Sequence, residues 1–142
     1  MAVAESLTGG LLSSRLARLP QASTWFRGGV VAYMATVKHG VLGVRAGPVV
    51  SREAAIDMAG GAARLLDADI AVAVTGVGGP DPQEGRPPGT VWIAVVAGDR
   101  EVAELHHLDG DPTEVCDRTC DAAVALLAQV IQPDRPQAPG RR

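Results

Sequence analysis

The chain has 142 residues, with 13 Lys+Arg against 16 Asp+Glu, which is one domain's worth of sequence and enough to bury a shared apolar core without disulfide or metal staples. The slight acidity argues against nucleic-acid binding, because no basic cluster lies beside aromatics except the terminal Arg141 and Arg142. No apolar run reaches bilayer length and the first residues lack the succession of a signal peptide, so the expectation is a cytoplasmic protein with no membrane partner.

In chain order, Ala2 to Glu5 reads as a short strand, and Gly9 to Leu19 as a helix with Leu11, Leu12, Leu16 and Leu19 on one side and Pro20 closing it. Phe26 to Tyr33 contains the apolar run of a buried strand, and Thr36 to Leu42 a brief helix. Ser51 predicts an N-cap for a helix to Leu66, with Ala55, Met58, Ala62 and Leu65 facing the core and Gly60 and Gly61 weakening its middle. Ile70 to Thr75 and Thr90 to Ala97 are apolar strands on either side of the long loop TGVGGPDPQEGRPPG. Such a loop between buried strands is uncommon unless it has a function. Glu101 to Leu108 reads as an edge strand joined by a Gly98-Asp99 hairpin, and Pro112 to Ile131 as the most strongly periodic helix, through Val115, Thr119, Ala122, Leu126 and Val130. Residues 1–131 then form one domain and 132–142 a disordered tail.

Alternating strands and helices predict an α/β fold, a three-layer α/β/α sandwich whose hairpin makes a mostly parallel sheet mixed. The first strand begins almost at once. Either the true start lies upstream, or one face of the sheet is thinly covered.

The stretch AESLTGG sets Ser6 between a strand end and a helix start, beside unpaired backbone N–H groups that could form an oxyanion hole. The simpler reading is that Ser6 or Thr8 caps the helix. A nucleophilic serine needs a base, and of His39, His106 and His107, the only histidines, the last two lie on the edge strand with no positioned acidic neighbour that the sequence identifies. Arg supplies twelve of the thirteen basic residues, and the one lysine, Lys38, follows the one tyrosine, Tyr33, by five positions. Arginine cannot lose its proton in a protein whereas a desolvated lysine can, so Lys38 suits a base and Tyr33 a proton relay; a surface lysine and a core-edge tyrosine are the plainer alternative. The loop from Gly76 to Gly89 offers N–H groups to a phosphate, with Arg86 for charge. Cys116 and Cys120, one helical turn apart, read as buried thiols, and no metal site is expected.

In this order, AESLTGG, FRGGVVAYMATVK, TGVGGPD and PPGTVW resemble the C-terminal domain of the CinA family, the competence/damage-inducible proteins, over roughly Ala2 to Ala128. The resemblance implies a three-layer α/β/α fold and a nicotinamide mononucleotide amidohydrolase that releases ammonia and nicotinate mononucleotide without metal or cofactor. It further implies a small-molecule nucleotide as partner and a homo-oligomer, with a dimer favoured. Ser6 would be the nucleophile and Tyr33 and Lys38 the groups that activate it. Thr8, Gly9 and Gly10 would border the oxyanion, and Thr75, Gly76, Gly79, Arg86, Thr90 and Arg118 would complete the substrate site. The chain departs from the family pattern in lacking a helix before the serine motif, in carrying Ala35 where an asparagine is usual, and in placing Pro112 and Cys116 where arginines are usual. Arg118 projects about 200° around the helix from Cys116 and so does not simply replace them. A catalytically degenerate domain that binds a nucleotide or serves as an oligomerising partner is the alternative function.

Overall fold

The segment Ile70–Gly76 alternates alanine with valine, and because successive strand side chains point to opposite faces, one face of it is shallow and the other deep. A computed structural model, which describes residues 1–132, sets this strand at the centre of a five-stranded sheet. The elements in chain order are β1 (Ala2–Glu5), α1 (Leu11–Ala17), α2 (Ala22–Trp25), β2 (Gly28–Val31), α3 (Ala35–Leu42), α4 (Arg52–Leu65), β3 (Ile70–Gly76), β4 (Thr90–Ala97), β5 (Arg100–His107) and α5 (Pro112–Ile131). All but the first residue of the tail read from the sequence lies outside the described residues.

The strand order is β2-β1-β3-β4-β5. β1 pairs in parallel with β2 and β3, whereas β3–β4 and β4–β5 are antiparallel, so four strands share one direction and β4 alone opposes them. The predicted three-layer α/β/α architecture with a mixed, mostly parallel sheet is what forms. The chain leaves β1 to one side for β2 and returns on the other side for β3, so the winding reverses at β1. In open α/β sheets a crevice opens beyond the carboxyl ends of the strands at such a reversal.

The deep face carries Val3, Val72 and Val74 against Leu12 and Leu16 of α1 and Val115, Leu126 and Val130 of α5. The shallow face carries Ala2, Ala4, Ala71 and Ala73 beneath Ala54, Met58, Ala59 and Ala62 of α4. Small residues on both sides let α4 approach the sheet closely, and each fully buried valine or leucine of the deep face contributes roughly 1.5–3 kcal/mol. The Ser51 side chain accepts the Ala54 N–H at 3.1 Å to cap α4, and Asp111 accepts the Glu114 N–H at 2.9 Å to cap α5 just before Pro112.

Several local expectations are corrected. Gly9 and Gly10 have φ of 56° and 108°, so they form a turn and α1 starts only at Leu11. That helix ends at Ala17, which leaves Leu19 exposed, and the four-residue α2 was too short to show a period. Leu65 is exposed, because the buried face of α4 is set by its alanines and Met58. Beside α1 and α5, Met1, Leu16, Leu19, Trp25, Val124 and Leu127 line an open apolar hollow, while the deep-face valines beneath stay fully buried.

Gly61 has a packing reason: a Cβ there would overlap the Leu42 carbonyl at the end of α3, whereas one at Gly60 would meet only the flexible Arg64 guanidinium at 3.4 Å. Gly61→Ala should therefore lower unfolding free energy by about 1–3 kcal/mol. Gly60→Ala should be neutral or stabilising by up to about 1 kcal/mol through helix propensity. Urea denaturation of the two variants measures the difference, and equal midpoints would contradict it.

Candidate active site

Glu5, the last residue of β1, is wholly buried, and a carboxylate there must be hydrogen-bonded to be tolerated. Oε1 accepts from the Thr8 hydroxyl at 2.6 Å and the Leu12 N–H at 2.8 Å. Oε2 accepts from the Ser13 N–H at 3.0 Å and the Ser13 hydroxyl at 2.6 Å. The carboxylate thus fills the first turn of α1, where N–H groups lack intrahelical partners and the helix dipole favours negative charge. The strand end and the helix start are tied together, and the residues between them fold tightly, with Gly9 N–H donating to Ser6 O and Leu11 N–H to Thr8 O, both at 3.0 Å.

Two readings of the sequence change here. Neither Ser6 nor Thr8 caps α1, because Thr8 donates to Glu5 and the N-cap residue Gly10 makes no side-chain bond; the capping is done by Glu5. The Leu12 and Ser13 N–H groups are also spent on that carboxylate. Among the described residues, the N–H groups of Leu7, Thr8 and Gly10 make no hydrogen bond to protein.

Ser6 lines two adjoining hollows beyond the carboxyl ends of β1, β2 and β3. One, of about 370 Å³, is bounded by Ser6, Leu7, Tyr33, the loop from Gly76 to Gln83, Pro112 and Cys116. The other, of about 510 Å³, is bounded by Ser6, Tyr33, Lys38, Val49, Thr75 and Glu84, among others. Both volumes fall in the range of small-molecule sites, about 300–1,000 Å³. Gly76 leads off the floor of both hollows, and it must be glycine, since a Cβ would come within 2.5 Å of the Thr90 carbonyl oxygen.

Lys38 is only 2% exposed, and its ammonium nitrogen donates to the Tyr33 carbonyl at 3.1 Å. Burial lowers its pKa below the ordinary lysine value, with the charge of Glu84 acting in the opposite sense. Tyr33 is 68% exposed, and among the described residues neither its hydroxyl nor Ser6 Oγ makes a hydrogen bond to protein. Ser6, Tyr33 and Lys38 therefore share one hollow without a closed proton chain.

The remaining sequence-predicted residues fall into groups. Thr75 and Gly79 each line a hollow, and the Thr75 hydroxyl donates to Val49 O at 2.7 Å. Thr8, Gly9 and Gly10 belong to the turn after β1. Thr90 is buried, with its hydroxyl on Pro87 O at 2.8 Å, and lines neither hollow; Arg86 and Arg118 are exposed and line neither. Cys116 is only half-buried, and its thiol donates to Leu7 O at 3.1 Å, with burial pushing its pKa up; Cys120 is fully buried and pushed up to about 12. His106 does have an acidic neighbour, Glu104 at 2.9 Å, but the pair sits on edge strand β5. Sequence reasoning missed Glu5 as the organiser of the turn. The available signal was a carboxylate at a strand end, immediately before a helix with no acidic residue in its first turn.

The family model for the CinA C-terminal domain matches residues 1–131. A competence-damage inducible protein of Desulforamulus reducens is 41% identical over 93% of this chain and 33% of its own length. A CinA-like protein of Frankia casuarinae is 40% identical over 92% of this chain and 31% of its own. The chain thus spans about a third of the length of these curated relatives. Among solved structures, a competence-damaged protein (CinA) superfamily protein of Escherichia coli superposes with a TM-score of 0.88 at 34% identity, covering 91% of this chain and 78% of that one. The competence/damage inducible protein of Agrobacterium tumefaciens gives 0.86 at 32% identity, over 92% and 84%.

Replacing Glu5 by Gln turns an amide NH₂ toward donors that now meet oxygen. It should lower unfolding free energy by about 2–4 kcal/mol, against about 1 kcal/mol for Ser13→Ala, which removes a single side-chain bond. Guanidinium denaturation of the two variants measures both costs, and a Glu5→Gln chain as stable as wild type would contradict the role given to the carboxylate.

Proposed function

The chain belongs to the CinA C-terminal domain family, and on that premise we propose that it is a serine amidohydrolase converting nicotinamide mononucleotide to nicotinate mononucleotide and ammonia. The observation that carries the reading is the shared hollow: a serine on the turn after β1 and a buried lysine bonded only to a backbone carbonyl open onto the same space.

In the proposed reaction the neutral Lys38 amine takes the Ser6 proton as Oγ attacks the carboxamide carbon. The oxyanion that forms is met by backbone N–H groups of the turn, of which those of Leu7, Thr8 and Gly10 are uncommitted. Lys38 returns the proton to the nitrogen, the C–N bond breaks and ammonia leaves an acyl-Ser6 ester. Water attacks the ester, Lys38 accepts its proton and passes it to Ser6 Oγ as the acyl C–O bond breaks, and the acid is released with Ser6 and the neutral Lys38 restored. Burial supports Lys38 in this role, since it raises the neutral fraction at a given pH. The Tyr33 hydroxyl is free to join the proton path once a substrate covers it.

A second substrate reading rests on charge. Besides Lys38, no cation lines either hollow among the described residues, whereas Asp81 and Glu84 do, and Pro112 and Cys116 stand on the wall. An amide without a phosphate fits that lining better than a phosphorylated one. The ratio of kcat/KM for nicotinamide mononucleotide to that for its dephosphorylated nucleoside separates the two. Cys116→Arg should raise that ratio about tenfold, and an unchanged ratio would place the phosphate elsewhere.

Ser6→Ala and Lys38→Ala should each reduce ammonia release by about a thousandfold or more, and full activity in Ser6→Ala would remove the serine mechanism. Since the neutral amine is the active form, kcat/KM should rise with pH as Lys38 deprotonates. Its lowered pKa puts that rise below the ordinary lysine range. A pH–rate profile measures this, and a rise at or above the range of a free lysine would contradict it.

A further inference from the structure

Glu84 stands at an unusual place in the glycine-rich loop. Gln83 and Arg86 exchange backbone hydrogen bonds at 3.1 and 2.8 Å, closing a two-residue hairpin around Glu84 and Gly85, whose φ values are 51° and 70°. Two successive left-handed residues define the tight turn that Asn, Asp and Gly favour, so a glutamate at the first position is held there at a conformational cost. The Glu84 carboxylate bridges to the opposite wall, where Oε1 accepts from Val50 N–H at 2.7 Å and from Val49 N–H at 3.1 Å, and Oε2 from Val49 N–H at 3.0 Å. It lines the same hollow as Lys38 and Ser6, and among the described residues it makes no ion pair with Lys38.

The other charged groups around Lys38 do not line its hollow. On β1, Glu5 is bonded to Thr8, Leu12 and Ser13. On α3 itself, the His39 ring meets Val44 O at 2.8 Å. On α4, Asp57 is paired with Arg45, and Arg52, Glu53 and Arg64 are exposed. Tyr33 is the remaining titratable group on the lining, and Glu84 is the one whose charge acts on Lys38.

We propose that Glu84 is a positioning residue: a carboxylate pinned across the hollow that stabilises the ammonium formed when Lys38 takes the Ser6 proton. This rests on Lys38 being the base. The step moves one proton from Ser6 Oγ to Lys38 Nζ, so a positive charge appears in a buried place and a fixed negative charge lining the same hollow favours that state. A clasp alone does not need the charge, because a glutamine oxygen can accept from both Val49 and Val50 N–H.

Lys38 is the chain's only lysine, so labelling with ¹³Cε-lysine gives one signal whose titration reports its protonation without any turnover. In folded Glu84→Gln the midpoint should move to lower pH than in wild type, the acid limb of kcat/KM should move with it, and the plateau should fall by roughly three- to tenfold. Glu84→Asp, which keeps the charge while loosening the clasp, should hold the midpoint near the wild-type value. An unchanged midpoint in Glu84→Gln, a shift of the same size in Glu84→Asp, or a Glu84→Gln chain that does not fold would each overturn the proposal. Absence of ammonia release by the wild-type chain would count against the amidohydrolase assignment alone, since the lysine titration is read independently.

Discussion

The carboxylate of Glu5 accepts four hydrogen bonds while fully buried, and the turn that carries Ser6 takes its shape from that constraint. An ionised group in such a place is costly unless every acceptor position is used. The donors it meets are N–H groups of the first turn of α1 and the hydroxyls of Thr8 and Ser13. Meeting them requires the chain to reverse within Ser6 to Gly10, which the left-handed Gly9 and Gly10 permit. A residue chosen for helix capping in the ordinary way, a serine or threonine, would leave Ser6 with far less to fix it.

Sheet topology then decides what the turn faces. Because β1 lies between β2 and β3 and all three run in parallel, their carboxyl ends deliver Ser6, the Tyr33–Lys38 segment and Gly76 to one edge. The alternation of alanine and valine along β3 brings α4 close on one face and leaves α1 and α5 to cover the other. The hollow beside Ser6 is thus walled by the loop after β3 on one side and by α3 with the Val49–Val50 segment on the other. Glu84 spans the two walls, so the loop is anchored where it passes Lys38.

Much of this was legible in the sequence. The bounds of β4 and α5, the Ser51 cap and the mixed sheet follow from period, from N-cap chemistry and from a two-residue hairpin, all of them local signals. The scarcity of lysine singled out Lys38, and the strand-to-helix setting singled out Ser6. What could not be read was pairing over distance. The bonds of Glu5 to Leu12 and Ser13 and of Glu84 to Val49 and Val50 depend on which donors the fold leaves unpaired. No pattern in either segment announces that. Arg86 offers charge to a phosphate in the sequence, but charge says nothing of the direction in which a surface side chain points, and Arg86 and Arg118 line neither hollow. Leu65 has the spacing of a core residue, but the alanine face of α4 had already fixed which side turns inward.

The central claim is that Ser6 carries the substrate's acyl group during turnover. Its most direct test is mass spectrometry of the chain quenched in acid while nicotinamide mononucleotide is being consumed, followed by mapping of the modified peptide. The account predicts an added nicotinoyl mononucleotide group on the peptide that contains Ser6, gone once substrate is exhausted. Ammonia release with the group on another residue, or with Ser6 unmodified throughout, would contradict it.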